Sequence, residues 1–151
     1  MLVSYDPGVK AAGVAIWQSD GELYRAFLVR DDDWIRTAHR AATRVCDICY
    51  VDEIAVEIPQ VYVQSRLKGD PNDLITLALN AGAFCASFLN TPRFEYRPYE
   101  WKKQVPKAIL TERTRTKLSI GELACVEKAP RTLMHNVFDA VGIGLHHLKR
   151  K

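Results

Sequence analysis

Short blocks of apolar and alternating residues open the chain. Residues 1–6, 13–17 and 22–30 carry apolar runs or an alternation typical of β-strands, and turn-forming residues separate them. Three consecutive strands joined by short turns predict an antiparallel meander. A fourth strand is predicted over 51–58 and a short fifth strand over 93–97.

Helical periodicity occupies most of the remaining chain. Asp73 is the predicted N-cap of a long apolar helix, and an aspartate run before residue 34 suits another helix N-terminus. Helices are predicted, in chain order, over 34–48, 73–88, 100–105, 111–127 and 132–148. Three antiparallel strands followed by β/α units predict an α/β fold, with a mixed five-stranded sheet flanked by helices.

Composition narrows the class of protein. The 151 residues are 48% hydrophobic and 26% charged, which suits one globular domain over residues 1–151. The sequence contains no apolar run of transmembrane length and no signal-peptide pattern, so we expect a cytoplasmic protein without a membrane partner. The net charge is only +3, but residues 102–117 contain six basic residues against one acid. That segment is either a solvated face or a nucleic-acid interface.

Three acidic residues occupy positions where a charge is costly. Asp6 ends the first strand, Glu57 ends the fourth, and Asp139 interrupts the apolar final helix. Each has an ordinary alternative explanation: Asp6 suits a turn before Pro-Gly, Glu57 a strand end at the surface, and Asp139 a hydrogen bond to a neighbouring backbone group. If the first and fourth strands are parallel neighbours, however, Asp6 and Glu57 emerge at the same sheet edge, where ligand sites are common.

Carboxylates brought close together repel each other and shift toward the neutral form. A divalent cation removes that penalty, and hard oxygen ligands with open positions suit Mg²⁺ or Mn²⁺. Two such ions can hold the attacking and leaving oxygens of a phosphodiester. The three acids therefore point to metal-dependent phosphodiester chemistry.

Several motifs, in order along nearly the whole chain, resemble the RuvC-like Holliday junction resolvases. They are SYDPGVKAAGVAIW, AVEIPQVY, LALNAGAF, EYRPYEWKKQV, TRTKLSI and HNVFDAVGIGL. The resemblance implies a ribonuclease H-like fold, a homodimer, and Mg²⁺-dependent cleavage of four-way DNA junctions in recombination and repair. A compact resolvase without helicase-docking extensions suits a phage, although a bacterial source stays open.

Carried over by position, the resemblance implies that Asp6, Glu57 and Asp139 are catalytic metal ligands for Mg²⁺ or Mn²⁺, with two ions per site. The family usually has an acid or a His three residues before the last Asp, where this chain has Asn136. His135 lies four residues before Asp139, and both spacings face the same side of a helix. We favour His135 as the fourth ligand and proton carrier, with the Asn136 carbonyl as the rival.

The resemblance also implies a DNA-contacting set. It consists of Tyr62, Arg66, Lys68, Lys102 and Lys117. Lysines at these positions would contact phosphates, and Tyr62 is a candidate for stacking on an unpaired base. Two alternatives stay open. One is another nuclease of the same fold, which would cut RNA in hybrids or duplex ends, and the other is a non-catalytic nucleic-acid-binding module.

Overall fold

A five-stranded mixed sheet organises the computed structural model, which describes residues 1–61 and 70–150. The strands lie in the order β3-β2-β1-β4-β5. Their bounds are β1 Leu2–Asp6, β2 Ala11–Trp17, β3 Leu23–Arg30, β4 Glu53–Glu57 and β5 Arg93–Tyr96. Strands β1, β2 and β3 are antiparallel, whereas β4 is parallel to both β1 and β5. This arrangement confirms the predicted meander and β/α units.

The described residues also form six helices. They are α1 Trp34–Ile48, α2 Pro71–Ala86, α3 Pro98–Trp101, α4 Lys107–Thr116, α5 Ile120–Ala124 and α6 Met134–His147. Within the described ranges, no helix is both long and apolar enough to cross a membrane.

Three of the helix predictions are wrong in detail. The helix predicted over 100–105 is replaced by α3, which begins at Pro98 and ends at Trp101. The segment predicted as one helix over 111–127 forms α4 and α5, because Ser119 starts a new helix through a capping box with Glu122. The N-cap of α2 is Asp70, whose side chain accepts the Asn72 backbone N–H, rather than Asp73. Asp33 caps α1, as the aspartate run predicts.

The two faces of the sheet carry separate apolar cores. One core joins Tyr5 of β1 to α1 and to Phe84 of α2, and the other places Trp17 of β2 against α6. Side chains alternate between the two faces along a strand. In β1, Val3 and Tyr5 belong to the first core, so Ser4 and Asp6 point toward α6.

The same alternation orients β4. Ile54 and Val56 pack in the core beneath α1 and α2, whereas Ala55 packs in the core beneath α6. Glu57 is therefore on the α6 side of the sheet. Because β1 and β4 are parallel, with Tyr5 beside Val56, Asp6 and Glu57 end neighbouring strands at the same edge.

Candidate active site

Helix α6 is fixed tightly over the ends of β1 and β2. The Trp17 indole N–H donates to Ser4 Oγ at 2.9 Å, and Ser4 Oγ donates to the Ala140 carbonyl at 2.7 Å. A Cβ on Gly13 would lie 1.9 Å from the Asn136 carbonyl oxygen, so only glycine allows this approach. These contacts set Asp139, one residue before Ala140, on the helix face that covers the strand ends.

The three acids form what we call the acidic triad: Asp6, Glu57 and Asp139. Their exposed fractions are 6%, 9% and 5%, so all three carboxylates are buried. Burial, followed by the charges of Asp139 and Glu57, raises the pKa of Asp6 well above its usual value. Burial also raises the pKa of Asp139 to about 6, and the charge of Glu57 adds to the effect. Burial and repulsion between the carboxylates therefore disfavour the ionised form of both aspartates.

One oxygen of Glu57 is held by the last residue of α3 and by the residue that follows it. The Trp101 indole N–H donates to Glu57 Oε2 at 2.8 Å, and Lys102 Nζ lies 2.9 Å from the same oxygen. A Cβ on Gly142 would lie 2.6 Å from the Trp101 ring, so this α6 glycine makes room for the indole. Both contacts orient the Glu57 carboxylate.

In the described part of the chain, Lys102 and Lys107 supply positive charge to the triad. Burial alone would lower the pKa of Lys102, but the negative charges of Glu57, Asp6 and Asp139 raise it above its usual value. Lys107, at the start of α4, also acts on both aspartates, whose pKa values its charge lowers. These lysines offset part of the repulsion within the triad.

His135 and Asn136 have different surroundings. Burial, then the charge of Lys107, lowers the pKa of His135, which favours a neutral imidazole. The Asn136 side-chain amide donates to the Ala11 carbonyl of β2 at 3.3 Å. Asn136 therefore tethers α6 to the sheet, whereas the choice of His135 as a ligand stays a prediction.

The chemistry of the triad suits a divalent cation. In residues 1–61 and 70–150, no three His, Cys, Asp or Glu side chains are grouped as a metal-holding set, and Glu57 is turned onto Trp101 and Lys102. The charge of Glu57 nonetheless raises the pKa of both aspartates, and a nearby cation relieves this kind of repulsion. Carboxylate oxygens are also the ligands that Mg²⁺ and Mn²⁺ prefer. Lys102 is the cation paired with the triad in this structure.

The predicted DNA-contacting residues are divided between described and undescribed parts of the chain. Tyr62, Arg66 and Lys68 lie outside the described residues. Lys117 is the C-cap residue of α4, is exposed, and lines the same cavity as Lys102. Their role in binding DNA stays a prediction.

The sequence predicts no role for three residues of the site. They are Trp101, Lys107 and Gly142. The sequence carries only weak indications of these roles. They are a tryptophan before two lysines, and a glycine one turn after Asp139 on the same helix face.

Comparisons with known proteins bear on the fold. No protein-family model matches the sequence, and no curated protein sequence matches it. A Thermus thermophilus RuvC in complex with a Holliday junction substrate superposes with a TM-score of 0.67 at 19% identity, over 97% of this chain and 91% of that chain.

Two further solved structures agree. A Thermus thermophilus RuvC structure has a TM-score of 0.55 at 17% identity, over 99% of this chain and 96% of that chain. A Fowlpox virus resolvase in complex with substrate Holliday junction DNA has a TM-score of 0.51 at 18% identity, over 99% of both chains. Together with the strand order, these likenesses show that the chain has the RuvC-like form of the ribonuclease H-like fold.

Proposed function

We propose that this protein is a metal-dependent endonuclease that resolves four-way DNA junctions by paired nicking. The observation that carries the proposal is the acidic triad, in which two neighbouring strand ends and one helix place buried carboxylates at one edge of the sheet. Such a cluster costs stability, so a function that uses the charges accounts for it best.

In this proposal Asp6, Glu57 and Asp139 hold Mg²⁺ or Mn²⁺, as two ions, with His135 or Asn136 as an additional ligand. The ions would supply an activated water and stabilise the departing oxygen. The chain's own contribution is orientation: Trp101 and Lys102 hold Glu57 Oε2, which leaves Oε1 free of these two contacts. Lys102 and Lys107 add positive charge where a phosphate approaches.

The proposed substrate is branched DNA. The Thermus thermophilus RuvC and the Fowlpox virus resolvase were each solved in complex with Holliday junction DNA, which supports this substrate class for a chain of the same fold. Lys117, together with Tyr62, Arg66 and Lys68 in the segment after β4, would contact the junction. Its physiological setting would be DNA recombination and repair.

We also propose a homodimer, because two nicks in one junction need two sites. Ala81 and Phe84 of α2 are buried in the core and are not available for such a contact. The outward face of α2 instead exposes Ile75 at 61% and Leu79 at 48%. This apolar face is the one we expect a second copy to cover.

The test compares three labelled substrates with the same sequence: a four-way junction, a linear duplex and an RNA–DNA hybrid. We expect symmetric nicks in the junction only, and only with Mg²⁺ or Mn²⁺ present. Asp6→Asn should abolish cutting but keep junction binding in a gel-shift assay, because binding depends mostly on basic residues. The control is Asp47→Asn, at an exposed aspartate on α1.

Each outcome has a distinct meaning. Cutting of the hybrid or of duplex ends in preference to the junction would make this protein another nuclease of the same fold. Binding without cutting under any metal condition would favour a non-catalytic module. Parental cutting by Asp6→Asn would show that the triad is not the catalytic site.

A further inference from the structure

A basic cavity lies beside the acidic triad, between the segment after α3, helix α4 and helix α6. Its volume is about 540 Å³, and we call it the α4–α6 groove. Six lysines and arginines line it: Lys102, Lys103, Arg113, Lys117, Lys149 and Arg150. Among the residues that the structure describes, no acidic side chain lines the groove, and its remaining wall includes the apolar residues Val105, Leu110 and Leu145.

Most of this positive charge is uncompensated. Lys102 is paired with Glu57, and Arg150 forms a two-pronged ion pair with Glu122. Across residues 1–61 and 70–150, the other four cations of the groove form no ion pair with an acid. Cations from three separate elements around one concave surface attract an extended anion, because every cation can face a separate negative group.

The backbone adds an independent observation. Lys103 has φ 51° and Lys149 has φ 54°, and no other non-glycine residue in the described part of the chain has a positive φ. Each follows the C-cap of a helix, α3 and α6, where glycine is the usual residue because it lacks a Cβ. Both exceptions are lysines, and both line the same groove. Strained positions of this kind are concentrated at functional sites.

The groove continues from the acidic triad. Trp101 and Lys102 line the groove, and the same two residues contact Glu57 Oε2. Along α6, Gly142 and His146 line the groove at three and seven residues beyond Asp139, on the same helix face. At 1.5 Å per residue, the groove therefore extends about 10 Å along the helix from the triad.

We propose that the α4–α6 groove binds the sugar–phosphate backbone of a DNA strand as it leaves the acidic triad. We further propose that lysines replace glycine at positions 103 and 149 because their ammonium groups contact that backbone. The strand is the substrate of the proposed junction nuclease, so this inference rests on the proposed function. A strand fits better than an isolated phosphate, because the uncompensated cations surround a cavity of this length on several sides.

The substitutions Lys103→Gly and Lys149→Gly separate this role from simple helix capping. Glycine relieves the left-handed backbone, so each variant should gain thermal stability, by about 3 °C in Tm. Each should also lose one phosphate contact, which lowers the slope of log affinity against log salt by about 0.9. The matched control is Lys128→Gly, at an exposed lysine outside the groove. Lys103→Arg, which keeps the charge, should keep the parental slope.

Binding is measured by fluorescence anisotropy on a labelled four-way junction and a labelled single strand, in EDTA so that no cutting occurs. A higher Tm with an unchanged salt slope would overturn the proposal, because the lysines would then be caps only. An equal loss of slope in Lys128→Gly would also overturn it, since any surface charge would then serve. Displacement of DNA by inorganic phosphate at an equal phosphate concentration would refute the strand as occupant.

The two proposals fail separately. If the wild-type protein resolves junctions while both glycine variants bind with the parental salt slope, the groove is refuted and the nuclease stands. If no junction is cut but the glycine variants still lose salt slope, the nuclease is refuted and the groove remains a nucleic-acid site.

Discussion

Asp139→Asn should make the metal-free protein more stable while abolishing its proposed activity. Asp139 is 5% exposed, and its pKa is raised from 3.8 to about 6, first by burial and then by the charge of Glu57. At about 1.4 kcal/mol per pKa unit, keeping this carboxylate ionised at neutral pH costs about 3 kcal/mol of folding free energy. Asparagine has nearly the same shape without the charge, so the variant should recover most of that amount.

The raised pKa of Asp139 determines how the stability of the protein changes with pH. A carboxyl whose pKa is higher in the folded state binds more protons there, so stability falls as pH rises from about 3.8 to about 6. The wild-type protein and the variant should therefore have similar stability below about pH 4. The difference should grow through this window and reach its full size above about pH 6.

Urea unfolding at a series of pH values in EDTA measures this difference, with the exposed Asp47→Asn as the control. Addition of Mg²⁺ should then stabilise the wild-type protein and have much less effect on Asp139→Asn, because a ligand bound only to the folded state raises stability. A variant less stable than wild type above pH 6, or a difference that does not change with pH, would refute the electrostatic account of the triad.

Five other substitutions test the packing of the fold and the roles of the site residues. Glu122→Gln should lower the free energy of unfolding by about 2 kcal/mol at neutral pH, because it breaks the partly buried ion pair with Arg150. The hydrogen bond from Arg150 is the main reason that the pKa of Glu122 is lowered to about 2, so this loss should disappear in urea titrations as pH falls from 4.5 toward about 2. Gly144→Ala should lower the free energy of unfolding by about 2 kcal/mol in thermal melts, since its Cβ would lie 2.2 Å from the buried Trp17 indole nitrogen. Gly82→Ala, where a Cβ would meet open space, should instead raise the free energy of unfolding by up to about 1 kcal/mol. His135→Ala should lose junction cleavage, and Asn136→Ala should keep most of it while melting at a lower temperature; the opposite pattern would make the amide the ligand.

Much of the architecture follows from local sequence patterns. The meander, the order of strands and helices, and the final helix are predicted from periodicity and turn residues, because burial on one side of a strand or helix leaves a regular spacing in the sequence. The same reasoning places Asp6 and Glu57 at one edge of the sheet, since both end strands and parallel neighbours share their carboxyl ends. Even the break between α4 and α5 has a local signal, the capping box at Ser119, which the longer apolar pattern obscured.

Tertiary structure alone decides how the site is held. The Trp101 indole reaches Glu57 across 44 residues of sequence, and the Ser4 hydroxyl reaches the α6 backbone across 136. The α4–α6 groove likewise exists only where three separate elements meet, and its two left-handed lysines are invisible in a residue pattern. Periodicity records which face of an element is buried, but not which distant side chain lies against it. Hydrogen bonds, paired charges and cavities depend on which distant side chains lie together, and that is fixed only in the folded chain.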